Sequence, residues 1–179
     1  MSGAGKPCVF FDRDGVVNRS PGDGYVLSPD AFELNPGIAE ALRLLRQKSV
    51  LAIVVTSQKC VGKGLVSRHQ LDAIHHRMAD LLAASGVAFD AVYSHLGDGS
   101  TDDPAPKPDP DMIHRAAERF GIDLRRSWIV GDADRDIAMG QAAGQLGTIR
   151  IRGDKPIGIP ADYTLDSTME ISALLQKLL

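Results

Sequence analysis

The sequence predicts an α/β protein: a Rossmann-like, three-layer, doubly wound parallel sheet in a single domain spanning 1–179, with no large cap domain. Three observations carry that reading. Short apolar runs alternate with stretches of helical periodicity along all 179 residues. The run at 50–55 is continuously apolar and mostly β-branched, the mark of a strand covered on both faces. Polar stretches rich in Gly, Pro, Asp and Ser separate the runs, as connections between strands and helices should. Strand–helix–strand units of this kind are right-handed, so helices cover both faces of the sheet.

The elements follow in order. Residues 8–11 are a buried strand, and 18–35 form a long loop. Pro36 suits a first helical turn, after which Ile38, Ala41, Leu42 and Leu45 share one face. The strand at 50–55 opens into a loop at 56–66 that contains Gly62 and Gly64. Ser67 and Gln70 have capping-box spacing, and Leu71, Ile74, Met78, Leu81 and Leu82 make the stripe of the next helix. A strand at 91–93 and a polar loop at 95–109 come next. Asp109 and Pro110 then start a helix with Ile113, Ala116, Ala117 and Phe120 inside. Residues 128–130 form a strand, 137–143 a helix and 148–151 a strand. Ser167 and Glu170 cap a last helix ending near Leu179.

Bulk properties narrow the function. A formal net charge of −3 disfavours a nucleic-acid partner, which would call for a basic surface. Cys8 and Cys60 have no C-x-x-C spacing and make no disulfide framework, so a reducing, cytoplasmic home is expected. No long apolar stretch precedes Asp12, so neither a leader nor a membrane span is expected. Gly3, Ala4, Gly5 and Lys6 resemble a phosphate loop only superficially, since Pro7 stands where a hydroxyl residue belongs. Residues 1–7 are expected to be a flexible tail. His69, His75 and His76 are expected to pack or face solvent.

In a doubly wound sheet the site lies outside the carboxyl ends of the strands. That rule selects the loops after Phe11, Val55, Tyr93 and Val130. The first carries Asp12, Arg13, Asp14 and Gly15, with Asn18 just beyond. Two carboxylates two residues apart repel, and a hard divalent cation such as Mg²⁺ relieves that repulsion. The second loop starts Thr56, Ser57, Gln58 and includes Lys63, donors suited to phosphoryl oxygens. The third holds Lys107 between Pro106 and Pro108. The fourth reads Gly131-Asp132-Ala133-Asp134-Arg135-Asp136. Asp132 is placed as a metal ligand and Asp136 one turn on, under the site. Asp134 and Arg135 are expected to face solvent or cap the helix. Singly, each loop has a plainer reading as a turn or a solvated surface; their order and strand positions together are specific.

These residues resemble those of the haloacid dehalogenase superfamily of phosphatases over roughly 8–175. The stretches 11–18, 24–26, 56–64 and 107–112 are similar, more narrowly, to heptose bisphosphate phosphatases, with histidinol-phosphate phosphatases close by. The resemblance implies Asp12 as nucleophile and Asp14 as general acid and base. It implies Thr56 and Lys107 as stabilisers of the transferring group. Mg²⁺ is implied on Asp12, the Asp14 carbonyl and Asp132, with Asp136 supporting it. Ser57, Gln58, Lys63 and Asn18 are expected to bind substrate, and loops 18–35 and 94–106 to set specificity. The implied enzyme is a cytoplasmic monomer hydrolysing a sugar phosphate such as heptose 1,7-bisphosphate. A histidinol-phosphate or nucleic-acid-end phosphatase is the alternative, and a catalytically silent binding module the alternative of another class. The family's zinc site needs three cysteines and a histidine. Here the segment offers His95 alone, so no zinc is expected. Pro106, Ser57 and Lys63 stand where these relatives usually carry Arg, Asn and Arg.

Overall fold

The computed structural model describes residues 5–179. Six strands, all parallel, form one sheet: β1 (Cys8–Phe11), β2 (Leu51–Ser57), β3 (Ala91–His95), β4 (Trp128–Gly131), β5 (Gly147–Ile151) and β6 (Tyr163–Leu165). Their order is β3-β2-β1-β4-β5-β6. The chain therefore builds outward from β1 on one side, then crosses to β4 on the other. That reversal places the switch point between β1 and β4, and a crevice opens at their carboxyl ends.

Among the described residues five α-helices cover the sheet: α1 (Ile38–Gln47), α2 (Arg68–Ala83), α3 (Asp111–Phe120), α4 (Asp134–Ala142) and α5 (Ile171–Leu178). Side chains alternate along each strand, so the core is two layers. Val9, Phe11, Val54 and Val130 pack with Ile38, Leu45, Ile74 and Leu175 of α1, α2 and α5. Phe10, Ile53, Val55 and Ile129 pack with Met112, Ile113 and Met139 of α3 and α4. Truncating one of these buried side chains to Ala costs ~2–5 kcal/mol.

The expected elements are present with shifted ends. Thr56 and Ser57, expected to open a loop, are the last residues of β2 and pair with Ser94 and His95. Helix α4 starts at Asp134 rather than 137, with Asp134 and Asp136 at its positive end. The capping boxes at Ser67 and Ser167 are both formed. Strand β6 was not foreseen, because three largely exposed edge residues carry no apolar pattern. Lys6 and Pro7, expected to belong to a flexible tail, are tied into the fold. Lys6 N–H donates to Gly121 O at 2.8 Å, and Pro7 O accepts from Leu51 N–H at 3.0 Å. Residues 1–4 of that tail lie outside the described residues. Among the described residues no helix is long and apolar enough to cross a membrane.

Candidate active site

Asp12 follows β1 directly, and its N–H donates to Val130 O of β4 at 2.9 Å, so its position is tied to both central strands. Its Oδ1 accepts from Lys107 Nζ at 2.7 Å. Its Oδ2 is buried with no hydrogen-bond partner. Burial, then repulsion from Asp136, raise the Asp12 carboxyl to about 7, against the opposing pull of Lys107. Lys107 also donates to Asp136 Oδ1 at 2.7 Å. Burial would push the Lys107 ammonium down, but the two carboxylates beside it prevail and hold it up. Lys107 thus stays charged in a site that excludes water from its side chain.

Both Asp136 oxygens are engaged. Oδ1 takes Lys107 and Oδ2 accepts Ala133 N–H at 3.1 Å. A Cβ on Gly131 would collide with Asp136 Cβ, so glycine lets α4 begin this close to β4. Asp132 lies across from Asp12. Oxygens of Asp12, Asp132 and Asp136 come within 4.8 Å of one another. Gly15 has φ +92°, and a Cβ there would collide with Asp132 Oδ2. The Asp12–Gly15 turn is thereby pressed onto Asp132, which only glycine permits. A divalent cation fits this donor set. Hard oxygens converge, Asp12 Oδ2 lacks a partner, and burial with mutual repulsion raises both Asp12 and Asp132 above the ordinary carboxylate range.

Asp14 sits in a polar cradle. Arg13 donates to it from Nη2 at 2.9 Å, Gln58 Nε2 at 2.9 Å and Asn18 Nδ2 at 3.0 Å. Burial alone would raise the Asp14 carboxyl, but Arg13 and these donors win and lower it. Behind Arg13, His75 Nε2 lies 3.2 Å from Nη1. Burial, then the guanidinium, lower His75 to about 4, so the ring is neutral and accepts. His75 has the packing role expected of it; the buried Arg13–His75 contact was not foreseen.

The candidate substrate residues divide. A cavity of about 430 Å³ opens at the site, lined among others by Asp14, Ser57, Lys59, Arg135 and Lys155 and by residues 20–25. Ser57 is therefore on its wall. Lys63 is exposed on the rim, its Nζ 5.1 Å from the centre of the Tyr25 ring that lines the cavity. Gln58 and Asn18 require correction. Both are fully buried and spend their amides on Asp14, so they position a carboxylate rather than meet substrate. Thr56 is also buried, and its Oγ1 accepts from Gln58 at 2.9 Å, leaving its proton to donate. The loop at 20–25 lines the cavity as expected, whereas none of 94–106 does.

Lys155 was missed. Its Nζ donates to both Asp132 oxygens, at 2.9 and 2.7 Å, from the connection between β5 and β6. The carboxyl-end rule, applied also to the strand at 148–151, would have found it. Asp134, expected to cap a helix or face solvent, instead anchors that connection. It accepts from Gly158 N–H, Ile159 N–H and Arg150 Nη2.

A family model described as "Hydrolase: haloacid dehalogenase-like hydrolase" matches residues 13–144. The chain belongs to the haloacid dehalogenase-like hydrolases. Among curated relatives, the D-glycero-beta-D-manno-heptose-1,7-bisphosphate 7-phosphatase of Salmonella typhi is 30% identical, with 96% of each chain covered. The D-glycero-alpha-D-manno-heptose-1,7-bisphosphate 7-phosphatase of Burkholderia mallei is 35% identical over 80% of this chain and 78% of its own. Among solved structures, the D,D-heptose 1,7-bisphosphate phosphatase of B. bronchiseptica, complexed with magnesium and phosphate, superposes with a TM-score of 0.80. It is 28% identical, and the match covers 97% of this chain and 99% of that one. The expected phosphatase family and the expected fold are both met by these relatives.

Proposed function

We propose that this hydrolase is a Mg²⁺-dependent phosphatase that removes the 7-phosphate of a heptose 1,7-bisphosphate through a phospho-aspartate on Asp12. One observation carries the reading: Asp12 has one oxygen fixed by buried Lys107 and the other buried without a partner, at the switch point of the sheet. A carboxylate so held is oriented for in-line attack on phosphorus. The heptose bisphosphate substrate rests on the relatives, which carry both the beta and the alpha names.

Asp12 attacks phosphorus, and the leaving alkoxide takes a proton from Asp14. Asp14 must first hold that proton, and its cradle of donors favours the ionised form. An arriving phosphoryl dianion reverses the balance, since a like charge raises a carboxyl's pKa. Ionised after the first step, Asp14 takes a proton from water. The hydroxide attacks phosphorus, releasing inorganic phosphate and the free Asp12 carboxylate. Lys107 and the Thr56 hydroxyl offset charge on the transferring group. Mg²⁺ would be held by Asp12, Asp132 and the Asp14 carbonyl, supplying charge neutralisation between phosphate and carboxylates. Asp136, with both oxygens engaged, supports Lys107 and the turn at Ala133.

The same reading extends to zinc and to the oligomer. The 94–106 loop is tied by protein groups: Asp103 accepts from Leu96 N–H and Gly97 N–H, and His95 Nδ1 meets Pro104 O at 2.7 Å. These bonds do the closing that a zinc site would do. A single chain supplies every residue of the proposed mechanism, which supports action as a monomer.

The test is phosphate release from both heptose 1,7-bisphosphate anomers, histidinol phosphate, hexose phosphates and a 3′-phosphorylated oligonucleotide, with and without Mg²⁺. Asp12→Asn provides the background. Mg²⁺-dependent turnover concentrated on one heptose anomer is expected. Turnover elsewhere would replace the substrate, and an active Asp12→Asn would end the phospho-aspartate assignment.

A further inference from the structure

Lys155 engages the carboxylate that the proposed metal also needs. Its ammonium holds Asp132 in a two-oxygen grip while its side chain remains 31% exposed, at the mouth of the cavity. The connection that bears it is a built structure. Arg150, itself 1% exposed, donates to Asp134 at 2.6 Å and to Ile159 O at 2.9 Å. Gly158 lies so near Asp134 that a Cβ there would fall 2.8 Å from its Oδ2. The lysine is thus delivered to Asp132 by a clasp at the start of α4.

The ammonium spans both Asp132 oxygens, so a metal ion on Asp132 would stand close to it, and like charges at that range repel. We propose that Lys155 is a tethered competitor for the metal at Asp132 and, once displaced, an anion ligand for the substrate. The displaced ammonium has a short path. Lys155 lines the 430 Å³ cavity with Lys59 and Arg135, and also the adjoining 460 Å³ cavity with Arg19 and Arg152. Metal binding would therefore free one positive charge on a wall that also carries Asp23 and Asp134, where the non-reacting part of the substrate would rest. Metal and a polyanionic substrate then help each other bind, by reciprocal coupling. In a bisphosphate that part includes the second phosphate, a step that rests on the substrate reading given above.

Calorimetric titration of MgCl₂ into the wild-type protein and Lys155→Met tests the competition directly. Lys155→Met should bind Mg²⁺ about tenfold more tightly, equivalent to ~1.4 kcal/mol. Lys155→Arg, which keeps the charge, should not. A loss of fold would weaken binding, so tighter binding has no merely structural explanation. Lys155→Gln gives a second reading if Lys155→Met does not fold. Equal or weaker Mg²⁺ affinity in a folded charge-removing variant would overturn the competition. At saturating Mg²⁺, the same variant should raise KM for heptose 1,7-bisphosphate about tenfold, as removal of one ammonium–phosphate interaction requires, and leave KM for heptose 7-phosphate within about twofold. Equal changes for the two substrates would overturn the anion-ligand role. The calorimetry needs no substrate, so failure of the heptose assignment leaves its result intact.

Discussion

Replacing Lys107 with Met is the most demanding test of the site's electrostatics. The ammonium lies 2.7 Å from Asp12 Oδ1 and 2.7 Å from Asp136 Oδ1. The side chains of Lys107, Asp12 and Asp136 are 0%, 3% and 0% exposed. Methionine matches the lysine stem but leaves two buried carboxylates facing each other. Breaking a buried pair by removing one partner costs ~3–5 kcal/mol. Part of that returns because Asp12, already raised to about 7 by burial and by Asp136, loses Lys107's restraint and takes up a proton. A net loss of ~3 kcal/mol is expected at pH 8, and a smaller one at pH 6. With a urea dependence of ~2 kcal/mol/M, the unfolding midpoint falls by about 1.5 M at pH 8. Urea denaturation at both pH values, without added metal, is the assay. A midpoint shift under about 0.3 M, or a larger loss at pH 6 than at pH 8, would refute the reasoning.

Three further outcomes follow from the same geometry. Gly15→Ala forces a Cβ against Asp132 Oδ2 at φ +92°. It should cost ~1–3 kcal/mol of stability and weaken Mg²⁺ binding at least tenfold by calorimetry; unchanged affinity would remove Gly15 from the account. Asp12's folded pKa of about 7 lies above the ordinary carboxylate value of ~3.9, so its contribution to stability is complete below pH ~4 and is lost as pH rises through 7. Mg²⁺ favours the ionised form. Its affinity should therefore fall up to about tenfold per unit below pH 7 and level off above, with proton release read by calorimetry in two buffers; a flat profile would contradict it. Protein purified without chelators should carry no stoichiometric zinc by elemental analysis, and removing Asp103 should loosen the 94–106 loop to proteolysis; bound zinc would reverse that reading.

The sequence alone determined the layer order and the residues at the heart of the site. Strands 8–11, 50–55 and 128–130 are apolar without interruption because both faces are covered, and period and length are local properties. Once the sheet is parallel, the carboxyl-end rule brings Asp12, Thr56, Lys107 and Asp132 to one edge, and the structure places them there. Tertiary structure alone decided what those residues touch. Gln58 and Asn18 are as polar as Ser57, yet they turn inward to Asp14 while Ser57 lines the cavity. Arg13 meets His75 across 62 positions, and Lys155 meets Asp132 across 23. No periodicity encodes such pairs. They depend on where separate loops return over the sheet, and on whether a buried polar group finds its partner there or must keep to water.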